Sequence, residues 1–369
     1  MGPTLSRLWK GHHPLPAGPL SNAPVDVFLL ISDQLSGDAL AALSLTCKSF
    51  YILLKARLQL LGADREALLL LLEKDLGDKL YYCPFCSRLH PFSPSWTPLD
   101  FDLRRRKIQS CCYEGCPVRG EAFRLGNLCR YTLGYHHARL VMNRHLFGAP
   151  NGLPLENLHR HIVEYRCRGG RPWTQNLSAK IVDNELFLQA THSFYGPDSI
   201  AYGGTPGHQR HFICPHIMTS IPPGYDWDVF DTISELKDHG LHRLMPCQDV
   251  LHHCSRCLTD FQITIERVKI CERSLRAASM ASQRGWVDDG TPIYDWYEVV
   301  EAGWQITIVA YHQFGSCRSP LDWKWKALSL PVWGRDLGAR NLVSYPPGAV
   351  RQKCQPAVEA KIIIPFINE

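Results

Sequence analysis

Two cysteine pairs in this chain have the spacing of a metal-binding knuckle. Cys83-Pro-Phe-Cys86 and Cys254-Ser-Arg-Cys257 each place two residues between the thiols, which lets both thiolates bind one tetrahedral zinc ion. A redox role for the first pair is disfavoured because no βαβ pattern surrounds it. Both pairs therefore predict structural zinc, and the alternative is cysteines that pack as small hydrophobic residues without a metal.

The first predicted zinc site combines the first knuckle with thiols further along the chain. A cluster of cysteines downstream gives the spacing of a zinc ribbon. The expected ligands are Cys83, Cys86, Cys112 and Cys116. Two residues are alternatives: Cys111 in place of Cys112, and His90 as a competing fourth ligand.

The second predicted zinc site joins the second knuckle to a Cys-x-His pair, Cys214-Pro-His216. The knuckle lies directly before a predicted strand, a common position for a structural zinc. The expected ligands are Cys214, His216, Cys254 and Cys257. Three nearby residues are alternative ligands: Cys247, His252 and His253.

The elements that must position these ligands are strands and irregular segments. Helical periodicity is lost after Lys79, and cysteines, prolines and aromatic residues dominate to about residue 175. Four later runs are rich in β-branched or aromatic residues and are bounded by turn residues, which predicts strands. These runs are 180–188, 261–270, 304–311 and 361–366.

The N-terminal part of the chain predicts a compact set of helices. Residues 24–35 form the first predicted helix, with apolar residues on one face at Val27, Phe28, Ile31 and Leu35. A short second helix is predicted at 38–43 and a third helix at 44–58. A fourth, at 64–76, contains the leucine run 68–72, and a helix that is apolar on most sides is expected to be buried on most sides. The predicted fold class is α+β: a module of three to four helices, then a Cys-rich domain with antiparallel strands.

The segment from Pro24 to Tyr51 resembles an F-box. The resemblance lies in Pro24 and Asp26 at the start of the first helix and in the Leu-Thr-Cys-Lys-Ser-Phe run that ends at Phe50. It implies a helical module that binds the Skp-type adaptor of a Skp–cullin–F-box ubiquitin ligase. The residues expected to carry this contact are Pro24, Val27, Phe28, Ile31, Leu35, Leu40, Leu43, Leu45, Cys47 and Phe50.

Further segments are similar to a large group of filamentous-fungal F-box proteins. They are 70–76, 81–92, 138–148, 151–155 and 315–322. The implied domain organisation is a disordered tail at 1–23, an F-box at 24–60, a linking helix at 61–79 and a Cys-rich, zinc-stabilised domain at 80–369. The implied role is an adaptor that recruits an unidentified protein substrate to a cullin ligase.

The sequence favours a binding protein over an enzyme. It contains no Gly-x-Ser-x-Gly, no His-Glu-x-x-His and no phosphate-binding glycine loop. An adaptor needs no catalytic residues, because the ubiquitin chemistry takes place on other subunits. A third interpretation, a zinc enzyme, would require an open coordination position.

The alternative function is a zinc-stabilised protein that associates with nucleic acid or chromatin. In that case the helical start is the protein's own subdomain, and the basic run 104–107 lies on one face with other cations. A net charge of +5 is small for 369 residues, so nucleic-acid binding is the less favoured interpretation. Because no signal peptide or membrane-spanning run is recognisable, we expect a cytoplasmic or nuclear protein with no membrane partner and with reduced cysteines.

Overall fold

A computed structural model describes residues 24–98, 122–125, 131–164, 173–197, 209–221, 247–271, 300–329 and 345–355. The chain divides into two compact units, Met1–Asp75 and Leu76–Glu369. The helix predicted to link two domains therefore belongs to the first unit. The predicted tail at 1–23 and the predicted strand at 361–366 lie outside the described residues.

The first unit is helical, as the sequence predicts. Its α-helices are α1 (Val25–Ser32), α2 (Gly37–Thr46), α3 (Lys48–Leu54) and α4 (Gly62–Asp75), and a 3-10 turn at Lys55–Arg57 follows α3. The predicted helix 44–58 begins too early, because α2 continues to Thr46 and Cys47 is extended (φ −151°, ψ 161°). Cys47 then caps α3, its Sγ accepting a hydrogen bond from the Phe50 amide at 3.4 Å.

The core of the first unit is small. Phe28, Leu40 and Leu54 are buried, and the rings of Phe28 and Phe50 stack with their centroids 4.5 Å apart. Five partly buried residues pack around them: Leu35, Leu43, Phe50, Leu53 and Leu58. Arg57 closes the group by pairing with Asp33 at the end of α1.

Helix α4 is less buried than its leucine run predicts. It packs on α2, where the Asp64 side chain lies against Gly37. Of the five leucines only Leu68 is fully buried, and Leu71 is 44% exposed. The prediction of burial on most sides is wrong, because within this unit one neighbouring helix cannot cover an apolar surface that extends around α4.

The second unit is built on a six-stranded antiparallel sheet. Its strands are β5 (Arg160–Glu164), β6 (Trp173–Val182), β7 (Glu185–Pro197), β10 (Cys247–His253), β11 (Thr259–Cys271) and β12 (Val300–Gly315). Their order across the sheet is β10-β11-β12-β7-β6-β5. The predicted strands 261–270 and 304–311 lie within β11 and β12. Mixed helix and strand with an antiparallel sheet is the predicted fold class.

The predicted strand 180–188 is wrong, because it crosses a turn. Asp183 and Asn184 both have positive φ (51° and 59°), and they join β6 to β7 as a tight hairpin in which Val182 pairs with Glu185. Positive φ at both central residues is the geometry of a type I′ turn, whose twist matches the two strands.

Shorter elements surround this sheet. Three two-stranded hairpins are formed by β1 (Leu80–Cys83) with β2 (Arg88–Pro91), β3 (Ala122–Arg124) with β4 (Thr132–Gly134), and β8 (Gln209–Cys214) with β9 (Ile217–Ile221). The helices are α5 (Tyr135–Phe147), α6 (Trp323–Ser329) and α7 (Ala349–Cys354), with a 3-10 turn at Leu155–Leu158. None of the helices in the described ranges is long and apolar enough to cross a membrane.

The two faces of the sheet carry separate cores, since neighbouring strand residues point in opposite directions. Leu186 and Leu188 of β7 belong to the main core, which includes residues of α5 and α6, whereas Phe187 between them packs with Val350 and Cys354 of α7. Asp260 of β11 holds α7 in place, because its buried carboxylate accepts hydrogen bonds from the Val350 and Arg351 amides at 2.8 and 3.0 Å.

Candidate metal centres and an exposed helix face

The second predicted zinc site is assembled from two hairpin connections. Cys214 ends β8 and His216 lies in the turn before β9, while Cys254 and Cys257 lie in the loop between β10 and β11. The potential ligand atoms of these four residues lie within 4.8 Å of one another. We call this group the sheet cluster, and it contains the four residues expected from the sequence.

The β10–β11 loop is folded so that both knuckle thiols face the same point. The Cys254 amide donates to the Thr259 carbonyl and the Thr259 amide donates to the Cys257 carbonyl, each at 2.9 Å. The Arg256 amide donates to Cys254 Sγ at 3.3 Å. These bonds fix the backbone on both sides of the knuckle and place a hydrogen-bond donor on one sulfur.

The spacing of the sheet cluster suits tetrahedral coordination. Cys254 Sγ and His216 Nδ1 are 3.8 Å apart. Bond lengths of about 2.3 Å to sulfur and about 2.0 Å to nitrogen put two tetrahedral ligands about 3.6 Å apart. The three cysteines are buried and His216 is the least buried member, so the cluster can hold a metal ion with its sulfur atoms shielded from water.

The pKa values of the three thiols in the sheet cluster are shifted in different directions. Burial raises the pKa of Cys214 and Cys257 well above the ordinary value. Hydrogen bonds from Cys214 and then from Cys257 lower the pKa of Cys254. A bound divalent cation would supply the positive charge that allows all three thiols to ionise.

A chain of polar side-chain contacts leads from the sheet cluster into the six-stranded sheet. Cys257 Sγ lies 3.2 Å from Thr259 Oγ1, and Thr259 Oγ1 lies 3.0 Å from His312 Nδ1 of β12. All three residues are buried. Burial lowers the pKa of His312 to about 3, so this imidazole is neutral at physiological pH. The spacing of cysteines and histidines gave no signal for Thr259 or His312, which the pairing of β11 with β12 brings together.

A second cluster occupies the β1–β2 hairpin. Cys83, Cys86 and His90 offer ligand atoms within 4.8 Å of one another, and we call them the hairpin cluster. Ser87 adopts positive φ (48°) directly after the second cysteine, which turns the chain so that β2 returns along β1. Partial burial, followed by the positive charge of Arg88, lowers the pKa of His90, and a neutral imidazole is the form that binds metal.

The other predicted ligands divide into two groups. Cys112, Cys116 and Cys111 lie outside the described residues, whereas His90, the alternative ligand, is in the hairpin cluster. The alternatives to the second site are not members of either described cluster. The Cys247 thiol donates to the Ile263 carbonyl at 3.7 Å, and the His252 ring stacks on Phe261 with 5.2 Å between centroids. The third alternative ligand, His253, is likewise outside both described clusters.

Helix α1 carries apolar side chains on two neighbouring sides, one buried and one exposed. Phe28 points into the core and is 3% exposed, while Val27, Leu30 and Ile31 are 46%, 68% and 43% exposed. Their spacing of i, i+3 and i+4 places these three on one side of the helix. We call them the α1 outer face. The apolar face expected from the sequence is therefore divided by exposure: Phe28 and Leu35 lie in the core of the unit, whereas Val27 and Ile31 are exposed.

The remaining residues expected to bind the adaptor are distributed between core and surface. Leu40 is buried and Leu43, Phe50 and Leu35 are partly buried in the core, so they support the helices. Pro24 is exposed and is the N-cap of α1, and Leu45 is half-buried. Leu30 was not predicted from the sequence, although it lies at i+3 from Val27.

The exposed apolar residues are concentrated in the first unit. Among described residues, eight large exposed hydrophobic side chains lie there and three in the second unit. The eight are Val25, Val27, Leu30, Ile31, Ile52, Leu60, Leu61 and Leu71; the three are Leu146, Leu321 and Trp323. Exposed apolar side chains that are grouped on one face indicate an interaction surface.

Comparison of the chain with family models, with curated proteins and with solved structures found no match. The fold and the sites define a protein with a helical unit, an antiparallel-sheet unit and, among the described residues, two Cys/His clusters that could hold metal ions.

Proposed function

We propose that this protein is an F-box-type adaptor whose first unit binds a Skp-type protein and, through it, a cullin ubiquitin ligase. The observation that carries the proposal is the α1 outer face. Val27, Leu30 and Ile31 are exposed on a helix whose Phe28 is buried in the core of the same unit.

The pattern of α1 supports a partner that receives a helix. An apolar face with anchors at i, i+3 and i+4 is suited to a hydrophobic groove on another protein. Fully burying one aliphatic side chain contributes about 1.5–3 kcal/mol relative to leaving it in water, so a partner that covers this face gains that stabilisation. The small core of the first unit also favours a partner, because short helices bury too little surface to be strongly stable alone.

In this role the protein acts by positioning. The first unit holds the ligase, and the second unit holds a protein substrate, so that the substrate's lysines are kept at high effective concentration near the ubiquitin-charged enzyme. No catalytic step belongs to this chain.

We propose that both Cys/His clusters hold structural zinc. Mixed thiolate and imidazole donors at tetrahedral spacing are the ligands that zinc prefers. In the sheet cluster, Cys214, His216, Cys254 and Cys257 complete four-coordination, which leaves no open position for a substrate. This donor set favours a structural metal over a catalytic one and ties β8–β9 to the β10–β11 loop.

The adaptor proposal is tested by co-expressing the full chain with a Skp-type adaptor and measuring co-purification. Wild type should bind, and the double variant Val27→Asp/Ile31→Asp should not, because a carboxylate cannot be buried in an apolar contact without a large cost. The control is Leu321→Asp, which places a carboxylate on an exposed leucine of the second unit (71% exposed) and should bind like wild type.

A folded wild-type chain that fails to bind the adaptor would overturn the proposal. The alternative to test next is association with nucleic acid, whose affinity should fall steeply as salt concentration rises. The zinc proposal is tested separately by metal analysis of the purified chain. Wild type should carry zinc, and Cys254→Ser/Cys257→Ser should lose the share bound by the sheet cluster.

A further inference from the structure

The hydroxyl of Thr259 is held between a cluster thiol and a histidine. Its backbone cannot move away, since its amide donates to the Cys257 carbonyl and its carbonyl accepts from the Cys254 amide, both at 2.9 Å. Its Oγ1 is therefore fixed 3.2 Å from Cys257 Sγ and 3.0 Å from His312 Nδ1. A hydroxyl has one hydrogen to donate and can also accept. Two arrangements are therefore possible: Thr259 Oγ1 donates to Cys257 Sγ and accepts from His312 Nδ1, or it accepts from Cys257 Sγ and donates to His312 Nδ1.

The environment of His312 selects one of these arrangements. Its Nε2 is buried and has no hydrogen-bond partner among the residues that the structure describes, and the ring lies against Phe123 with 4.8 Å between centroids. If Nε2 carried the proton, a buried N–H donor would be left without an acceptor, which is costly. The proton is therefore on Nδ1, and Nδ1–H donates to Thr259 Oγ1. The hydrogen of the hydroxyl is then free to point at Cys257 Sγ.

The metal-bound state requires the same arrangement. A zinc-bound cysteine is a thiolate, which can accept a hydrogen bond and cannot donate one. Three thiolates around one divalent ion carry a net charge of about −1, and hydrogen bonds from neighbouring donors offset that excess. The Arg256 amide supplies such a donor to Cys254, and the Thr259 hydroxyl supplies one to Cys257.

We propose that Thr259 and His312 are positioning residues for the zinc of the sheet cluster. Thr259 donates a hydrogen bond to the Cys257 thiolate, and His312 orients the hydroxyl that does so. This inference rests on the proposed zinc. It links the metal to β12, a central strand of the sheet, because His312 lies directly across from Thr259 in the register of β11 and β12. Outer partners of this kind typically change metal affinity 10- to 100-fold.

The test measures zinc affinity by competition with a chromogenic chelator on the full chain. Thr259→Val keeps the shape of the side chain and removes the hydroxyl, and we expect the sheet cluster to bind zinc about 10- to 100-fold more weakly. The matched control is Thr259→Ser, which keeps the hydroxyl and should stay close to wild type. In the Thr259→Val background, His312→Leu should cause no further loss of zinc affinity, since His312 acts through the hydroxyl.

The cobalt-substituted protein gives a second readout that a merely structural role would not change. The sulfur-to-cobalt charge-transfer band should shift in Thr259→Val and not in Thr259→Ser, because removing a hydrogen bond makes the thiolate a stronger electron donor. Wild type itself provides a test that does not depend on the folding of any variant. The ¹⁵N shifts of His312 in the zinc-bound chain should show a protonated Nδ1 and an unprotonated Nε2.

The possible results separate the two proposals. Wild-type protein without zinc in the sheet cluster would overturn the zinc proposal and this inference together. Zinc-bound wild type with the proton on Nε2 of His312 would overturn this inference alone. Equal zinc affinities of Thr259→Val and Thr259→Ser would also overturn this inference and leave the zinc proposal standing.

Discussion

Truncating Leu30 should weaken adaptor binding in proportion to the side-chain surface that is exposed in the free chain and buried by the adaptor. Leu30 is 68% exposed, the most exposed side chain of the α1 outer face. Fully burying an aliphatic side chain contributes about 1.5–3 kcal/mol, so burying the remaining two thirds in a partner groove contributes about 1–2 kcal/mol. Leu30→Ala should therefore raise the Kd for a Skp-type adaptor about 5- to 30-fold.

The assay is titration calorimetry with purified full-length chain and purified adaptor. Leu30→Ala should leave the free energy of unfolding within about 0.5 kcal/mol of wild type, because exposed positions contribute little to stability. Leu321→Ala is the matched control, since Leu321 is 71% exposed in the second unit, and its Kd should equal that of wild type. The reasoning is refuted if wild type binds the adaptor and Leu30→Ala binds it equally well.

Three further predictions concern stability. Removing zinc with a chelator should abolish the cooperative thermal unfolding transition of the second unit, measured by calorimetry, because structural zinc contributes about 10–16 kcal/mol in small metal-dependent domains. Asp260→Ala should lower the free energy of unfolding in urea by about 3 kcal/mol, since two charge-assisted hydrogen bonds to the Val350 and Arg351 amides are lost at about 1.5 kcal/mol each. His136 should contribute an acid-sensitive term: burial lowers its pKa from 6.5 to about 4, so the stability present above pH 6.5 should fall by about 3 kcal/mol as the pH drops to 4. That loss is measured as the difference from His136→Leu, which does not titrate.

Each of these predictions has its own control and its own contrary result. Adding zinc back should restore the thermal transition, and a transition unchanged by chelator would contradict a structural metal. Asp260→Asn keeps an oxygen that accepts from both amides and should lose less stability than Asp260→Ala; equal losses would argue against the hydrogen bonds. If wild type and His136→Leu lose stability in parallel between pH 6.5 and 4, His136 is not the buried neutral group that its surroundings indicate.

The sheet cluster could be assembled from the sequence because its ligands come in local pairs. Cys254 and Cys257 share one loop, and Cys214 and His216 share one hairpin, so spacing alone identifies both halves. The hairpin cluster was less accessible, because His90 joins it through the return of β2 along β1, where Tyr81 pairs with His90. Thr259 and His312 could not be found this way, since only the register between β11 and β12 brings them together.

Helix α5 shows why some elements cannot be predicted from apolar periodicity. Residues 135–143 of this helix are all buried, including His136, His137, Arg139 and Asn143. Because polar side chains of this part of the helix lie in the core, residues 135–143 have no solvent face and their sequence has no 3.6-residue apolar pattern. The buried guanidinium of Arg139 donates a hydrogen bond to the Arg318 carbonyl at 2.7 Å, and this partner is far away in the sequence.

The sequence predicted the four helices of the first unit but not which apolar residues of α1 are buried. The four helices were expected, but the apolar residues of α1 were assigned to one face. Phe28 stacks on Phe50, and this long-range contact decides which side of α1 faces the core. The residues left outside, Val27, Leu30 and Ile31, are those on which the adaptor proposal depends.

The most direct test of the central claim is the mass of the complex in solution. Purified full-length chain, zinc-loaded, is mixed with a purified Skp-type adaptor and analysed by size-exclusion chromatography with light scattering. The account predicts one species with the summed mass of one chain and one adaptor, which Val27→Asp/Ile31→Asp abolishes while remaining folded. Separate elution of a folded wild-type chain and the adaptor at micromolar concentration would contradict it.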